Sequence, residues 1–162
     1  MASPQEALKF GSKNKVDFFN VDGDYTTAAV AQAVSTSGEV WLDMKGYSGL
    51  FVLAGGVNLT GDGPKSLEIV ADAAADGSDG NISIVTSSSD VTTAEGGYMI
   101  VEATAEQIVQ EGEDNSKALR YVGIKLGLNS SDDEAAITVI RYGPRFAHRT
   151  LTAGSAANAS IS

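Results

Sequence analysis

Cysteine is absent from this 162-residue chain, and histidine occurs once, as His148. The missing thiols exclude disulfides, thiolate metal ligands and a cysteine nucleophile. A single histidine excludes metal sites built from several histidines, and it leaves a Ser-His-Asp triad with one candidate base. Because the chain lacks the G-x-S-x-G turn that exposes a serine nucleophile in many hydrolases, a small β-sandwich hydrolase is a weak hypothesis.

Aromatic residues and long apolar runs are also scarce. Aromatics make up 7% of the chain, with one tryptophan, Trp41, which argues against an aromatic-lined sugar cleft with paired catalytic carboxylates. The longest apolar run is about five residues, far short of what a membrane-spanning helix needs. We therefore expect neither glycosidase activity nor a membrane partner.

Positive charge is scarce and unevenly placed. The chain carries a net charge of -10, and its isoelectric point is near 4.4. Residues 16–116 hold a balance of -15, whereas residues 1–15 hold +2 and residues 117–162 hold +3. The acidic body would repel phosphate, so nucleic acid is not an expected partner. Two basic ends on an acidic body indicate docking onto a partner with a patterned charge, although a simple solvated acidic surface explains the body equally well.

Apolar and polar residues alternate with a period of two along most of the chain. This pattern, with many β-branched residues, predicts about eight short strands. Gly next to Asp in the connecting segments is typical of tight turns. The predicted strands lie in KVDFFNV, GEVWLDM, SGLFVLAGGV, KSLEIVADA, GNISIVTSS, GGYMIVEAT, ALRYVGIKLGL and AAITVIRYG.

Helical signals are few. The segment TAEQIVQEG predicts a helix of about two turns, with Thr104 capping the amide of Gln107 and Gly112 ending it. Thr26–Val34 is a weaker, alanine-rich candidate that fits a strand equally well. Eight strands with one or two short helices predict an all-β antiparallel sandwich of jelly-roll type. We expect a flexible basic arm at residues 1–15, a single domain at 16–152 and a loose Ser/Ala-rich tail at 153–162.

Aspartates cluster in two stretches that could be taken for calcium loops. Asn20, Asp22 and Asp24 alternate in the first, but the sixth loop position, where an EF-hand needs glycine, is tyrosine. The second stretch is DAAADGSDGN, which begins at Asp72. Asp-Gly pairs are most simply explained as turns, so no metal or other cofactor is predicted, and a loop-bound calcium ion is a weak alternative.

The stretch RYGPRFAHRT, residues 141–150, concentrates three arginines and the single histidine. Arg141 and Tyr142 are expected to finish the last strand, because Pro144 cannot donate the next ladder hydrogen bond. No acidic residue follows, so the stretch is interpreted as the root of a basic docking tail.

The order of strands in the C-terminal half resembles that of the jelly-roll capsid cement, or decoration, proteins of tailed bacteriophages. The segment LRYVGIKL (Leu119–Leu126) is similar to a strand motif of that family, and a short polar loop, NSSDDEA, and a final strand follow it. The likeness covers about residues 60–145, and the N-terminal third departs from the family pattern. The segments that carry the resemblance are KSLEIVADA, GNISIVTSS, GGYMIVEATAEQIV, ALRYVGIKLGL and AAITVIRYG.

The resemblance implies a non-enzymatic virion protein that is made in the bacterial host cytoplasm and binds the outer surface of the mature head. Its expected partners are the major capsid protein and further copies of itself, as a homodimer or homotrimer. It would stabilise contacts between neighbouring capsid subunits by binding only the assembled shell. The residues predicted to dock, onto the capsid or a sister subunit, are basic residues of the two ends: Lys9, Lys13, Lys15, Arg145, His148 and Arg149.

A different class of function stays open at this point. A carbohydrate-binding or host-adhesion module on a virion or cell surface would also be a β-sandwich without catalytic groups. Such a module would gather solvent-facing aromatics on one face, and the candidates are Trp41, Tyr47, Tyr25 and Tyr98. Val122, Ile124 and Leu126 share one face of a predicted strand and are expected in the core instead.

Overall fold

The computed structural model describes residues 14–21, 40–58, 64–87, 97–128 and 133–143. The weaker helix predicted at Thr26–Val34 lies outside these residues, as do most of the basic arm and the whole C-terminal tail. The division of the chain into arm, domain and tail therefore stays a prediction.

The described residues contain a strand at each of the eight predicted places and one helix. The second strand is the shortest, with two residues of the predicted segment GEVWLDM. The elements are β1 (Asn14–Val21), β2 (Leu42–Asp43), β3 (Gly49–Asn58), β4 (Ser66–Asp72), β5 (Ile82–Ser87), β6 (Tyr98–Thr104), α1 (Ala105–Asp114), β7 (Tyr121–Gly127) and β8 (Glu134–Tyr142).

The strands form two four-stranded antiparallel sheets. The first has the order β1-β8-β3-β6 and the second the order β2-β7-β4-β5. Four of the pairings are β1 with β8, β2 with β7, β3 with β6, and β4 with β5. These are the pairings of one long hairpin whose two arms are wrapped so that successive pairs alternate between the sheets. That arrangement is the jelly roll, and the predicted fold class is confirmed.

One hydrophobic core fills the space between the sheets. Leu50 and Val52 point into it from β3, and Val122, Ile124 and Leu126 point into it from β7; all five are almost completely buried. The core assignment of the three β7 residues is thus confirmed. Burying one such aliphatic side chain contributes about 1.5–3 kcal/mol, so alternate positions along the strands supply most of the stability.

Strand β4 is buried on both sides in its second half. Its pairing with β7 is regular, so Val70 and Asp72 point away from the core that contains Ile69, as the alternation predicts. Both are nevertheless buried, Val70 with 1% exposed and Asp72 completely. The register shift in the pairing with β5 places the extra residue, Ile84, on β5, and a bulge of this kind bends the strand that carries it.

Helix α1 begins as predicted and ends later than predicted. The Oγ1 of Thr104 accepts a hydrogen bond from the amide of Gln107 (3.1 Å), and the Gln107 side chain accepts one from the amide of Thr104 (2.8 Å). The helix continues past Gly112 to Asp114 and is capped by Asn115. Gly112 does not end the helix, because its role is steric: a Cβ there would collide with the carbonyl of Lys117 in the returning chain.

The described part of the chain has no helix with the length and apolar character that crossing a membrane requires.

The buried strand face predicts how substitutions in β7 will behave. Ile124→Ala should lower the free energy of unfolding by about 2–5 kcal/mol, because it opens a cavity between the sheets. Thr86→Ala, on an exposed position of β5, should change it by less than about 1 kcal/mol. Urea unfolding followed by circular dichroism measures both, and equal effects of the two substitutions would contradict this description of the core.

Candidate interaction surfaces

The structure describes one of the six predicted docking residues, Lys15. Its Nζ lies 3.7 Å from Oδ1 of Asp17, and its side chain is 40% exposed. A partly exposed ion pair at this distance is weak, so Lys15 stays available to a partner protein. The other five lie outside the described residues, and their role stays a prediction; they are Lys9, Lys13, Arg145, His148 and Arg149.

The pairing of β1 with β8 places the two ends of the described sheet at one corner. Asn14, the first residue of β1, lies opposite Tyr142, the last residue of β8. Lys13 directly precedes β1, and Arg145 follows Tyr142 by three residues, a span of at most about 11 Å of extended chain. The chain therefore enters and leaves the sandwich at the same corner, and a basic segment adjoins it on each side.

Arg141 is a structural residue at this corner. It is 3% exposed, its Nη2 donates a hydrogen bond to Oδ2 of Asp17 (2.8 Å), and its Nη1 donates one to the carbonyl of Asp43 (2.7 Å). Its guanidinium also lies over the ring of Tyr47, 5.0 Å from the centroid. Since Asp43 belongs to β2, this one side chain joins the two sheets. A signal was present in the sequence, because Arg141 is in phase with the buried positions Ile137 and Val139.

Arg141→Met should lower the free energy of unfolding by about 3 kcal/mol, because it removes the buried guanidinium that donates a hydrogen bond to the carboxylate of Asp17. Arg141→Lys should recover little, since a lysine cannot reproduce the two-pronged contact. The double variant Asp17→Asn with Arg141→Met should cost less than the sum of the two single variants. Urea unfolding of the four proteins measures this coupling, and strict additivity would contradict the assigned pair.

The outer face of the second sheet is polar. Glu68 and Lys125 are cross-strand neighbours, with 3.9 Å between Oε2 and Nζ. Arg120 donates two hydrogen bonds to the carboxylate of Asp43, at 2.8 and 2.5 Å. These bonds lower the pKa of Asp43 from 3.8 to about 2. This face has the charged, solvated character expected of the outside of a β-sandwich.

The lowered pKa of Asp43 predicts a pH dependence of stability. Because the pKa is lower in the folded than in the unfolded chain, the stabilisation is complete above pH 3.8 and disappears as the pH falls towards about 2. Both side chains are about two-fifths exposed, so the effect should be small. Asp43→Asn should therefore flatten the fall in stability between these values, as measured by urea unfolding at several pH values. Asp79→Asn, on an exposed turn, is the matched control, and an equal flattening by both would contradict the assignment.

The outer face of the first sheet is apolar. Four of its side chains are strongly exposed: Phe18 by 74%, Tyr98 by 63%, Val57 by 61% and Ile100 by 45%. Four more are partly exposed beside them. We call this surface the apolar face, and its members are Val16, Phe18, Phe51, Leu53, Val57, Tyr98, Ile100 and Ile140.

The strand register makes the apolar face continuous across the sheet. Among the described residues, the charged side chains at its outward positions are Glu102 and Glu134, both near its margin. Glu102 accepts a hydrogen bond from the hydroxyl of Tyr142 (2.6 Å), and burial together with this bond raises the pKa of Tyr142 to about 12. Two rows of neighbours cross the sheet: Val16–Ile140–Phe51–Glu102, which ends at the carboxylate on the edge strand, and Phe18–Thr138–Leu53–Ile100.

The apolar face was not predicted from the sequence. The sequence feature that indicates it is a strand with apolar residues on both of its faces, such as LFVLA in β3 and YMIV in β6. Strands of that kind are normally covered on both sides, whereas a sandwich strand with one solvated face alternates with polar residues. A continuous exposed apolar surface of this kind is a candidate interaction site.

Apart from the apolar face, an apolar depression of about 660 Å³ lies between α1 and the chain that follows it. Ile108, Val109 and Leu119 line it, together with Lys45 and Lys117. Lys117 donates hydrogen bonds to two carbonyls of the β4–β5 turn, so its first role is to hold that turn against the helix.

The aromatic residues proposed for an adhesion surface do not gather in the described part of the chain. Tyr47 is 7% exposed beneath Arg141, and Tyr98 is on the apolar face. Trp41 packs against the turn at Gly77, whose missing Cβ leaves room for the indole ring. The fourth candidate, Tyr25, lies outside the described residues.

The aspartates of the second candidate calcium stretch serve as turn residues. Asp72 and Asp76 each accept a hydrogen bond from the amide two residues on, at 2.7 and 3.2 Å. Such bonds stabilise tight turns. Within the described ranges no three His, Cys, Asp or Glu residues are grouped so that they could hold a metal ion. Asp22 and Asp24, of the first stretch, lie outside those ranges.

Comparisons with known proteins add little to this description. No protein-family model matches the chain, and no matching sequence is found among curated proteins. One similar solved structure is described as "Crystal Structure of Israel acute Paralysis Virus Pentamer"; it is 10% identical in sequence with a TM-score of 0.42, over 100% of this chain and 82% of that one. At this TM-score the likeness carries no argument about function.

Proposed function

We propose that this chain is a non-enzymatic structural protein of a virion. In this proposal it is a capsid cement, or decoration, protein that binds the outer surface of the mature head of a tailed bacteriophage. It would stabilise the contacts between neighbouring major capsid protein subunits. The sequence resemblance supports the proposal, since the strands that carry it all belong to the observed jelly roll.

The observation that carries the proposal is the shared corner of β1 and β8. Asn14 and Tyr142 are paired, so the basic arm and the basic run after β8 begin side by side. Their cations would act together against an acidic patch on the shell, whereas the body of the chain carries a balance of -15. Two short basic segments with a common origin bind as a bivalent ligand, which raises affinity without requiring one deep site.

Attachment through this corner should depend on charge and on salt. Replacing Lys9, Lys13 and Lys15, or Arg145, His148 and Arg149, by glutamine should weaken binding to purified heads by roughly tenfold or more at low salt. The matched control replaces Lys45 and Lys65, the two lysines of the acidic body, and should leave binding unchanged. Co-sedimentation of the protein with heads at increasing salt measures both, and equal losses would contradict docking through the corner.

Stabilisation of the shell is tested separately. Heads that lack the chain should rupture at a lower temperature than complete heads, and adding the purified chain back should restore the difference, because a ligand that binds only the assembled shell stabilises it. Release of packaged DNA on heating, followed by a fluorescent dye, gives the rupture temperature. Equal rupture temperatures with and without the chain would refute the proposal.

A further inference from the structure

We propose that the apolar face is the contact between two copies of this chain. The first sheet of one copy packs face to face on the first sheet of the other, about a two-fold axis. This inference rests on the proposed function and deepens it by naming the partner of a surface other than the basic corner. Its test uses the purified chain without heads, so the two ideas can fail separately.

The area of the apolar face suits such a contact. A large aromatic side chain presents roughly 200 Å², so Phe18 and Tyr98, at 74% and 63% exposed, contribute roughly 270 Å² together. The six aliphatic and half-buried members bring the surface to about 500 Å² per copy. Two copies would bury about 1,000 Å², which is the size at which specific protein contacts begin.

The distribution of charge selects another copy as the occupant. Two chains that each carry a net charge of -10 repel one another unless they meet where acidic groups are few. The described outer face of the second sheet carries Asp43 and Glu68 with their cations, whereas the apolar face has its two carboxylates at the margin. Covering the apolar face therefore buries no unpaired carboxylate at its centre, which would cost several kcal/mol.

The shape of the apolar face is complementary to that of a second copy of the same face. Phe18 and Tyr98 protrude from β1 and β6, the two edge strands of the sheet. Between them, on the central strands, Gly55 lies opposite Ala136, and these small residues form a depression. About a two-fold axis that lies between Phe18 and this depression, Phe18 of each copy meets the depression of the other. Two sheets of the same twist also pack face to face at about -30°, as the two layers of a sandwich do.

Molecular mass in solution tests the inference. Sedimentation equilibrium of the full chain at micromolar concentration should give twice 16.7 kDa. Phe18→Glu and Ile100→Glu should each raise the dissociation constant by roughly a hundredfold or more, because they place a charge inside the contact. The matched control is Val109→Glu, which adds the same charge at a residue of α1 that is 54% exposed, and it should leave the mass unchanged.

A fourth variant separates loss of pairing from loss of folding. A Cβ at Gly55 would have no atom nearer than 3.9 Å in the single chain, so Gly55→Val fits the fold, and valine favours a strand. The same side chain fills the depression that the second copy needs. Gly55→Val should therefore keep or raise the melting temperature while it weakens pairing, which a merely structural role for this position would not do.

Several outcomes would overturn the inference. They are a single-chain or three-chain mass for the unmodified protein, and a two-chain mass that persists in both Phe18→Glu and Ile100→Glu. If the unmodified protein is a single chain and these variants lose their binding to heads, the shell covers the apolar face; the inference then fails while the proposed function stands. If the dimer forms but the heads gain no stability, the proposed function fails alone.

Discussion

Closure of the two sheets over one core is the constraint on which the rest of the molecule depends. Leu50 and Val52 from one sheet and Ile124 and Leu126 from the other belong to the same buried cluster, so neither sheet can keep its register without the other. Arg141 adds a polar tie between the layers, through Asp17 in β1 and the carbonyl of Asp43 in β2. Once this closure is set, the outward residues of each strand are determined as well, and they differ sharply between the sheets.

Much of the fold could be predicted because strand alternation is a local signal. Every segment predicted as a strand contains one, and the capping box at Thr104 forms as its spacing indicates. The failures occur where a distant contact overrides a local rule. Val70 and Asp72 are buried although they point away from the core, and Gly112 is required by the carbonyl of a later residue rather than by a helix end. The contacts responsible cannot be identified from local sequence.

The interaction surfaces were less predictable than the fold. The distribution of charge along the sequence predicted docking through the basic ends. Only the pairing of Asn14 with Tyr142 shows that these ends adjoin the same corner of the sheet. The apolar face is assembled from four strands that are far apart in the sequence, and its parts, such as Phe18 and Ile100, look like ordinary core residues when taken singly. Their exposure becomes evident only when the sheet to which they belong is known.

The position of β8 also has a consequence for how the chain acquires its structure. Strand β8 lies between β1 and β3 in the first sheet, so among the described strands β1 has no neighbour in that sheet until β8 has been synthesised. Pairing Val21 with Ala135 closes a loop of more than a hundred residues, and such long-range contacts make folding slow. We expect the sandwich to form only after β8 has left the ribosome, in a single cooperative step, with its apolar strands at risk of aggregation until then.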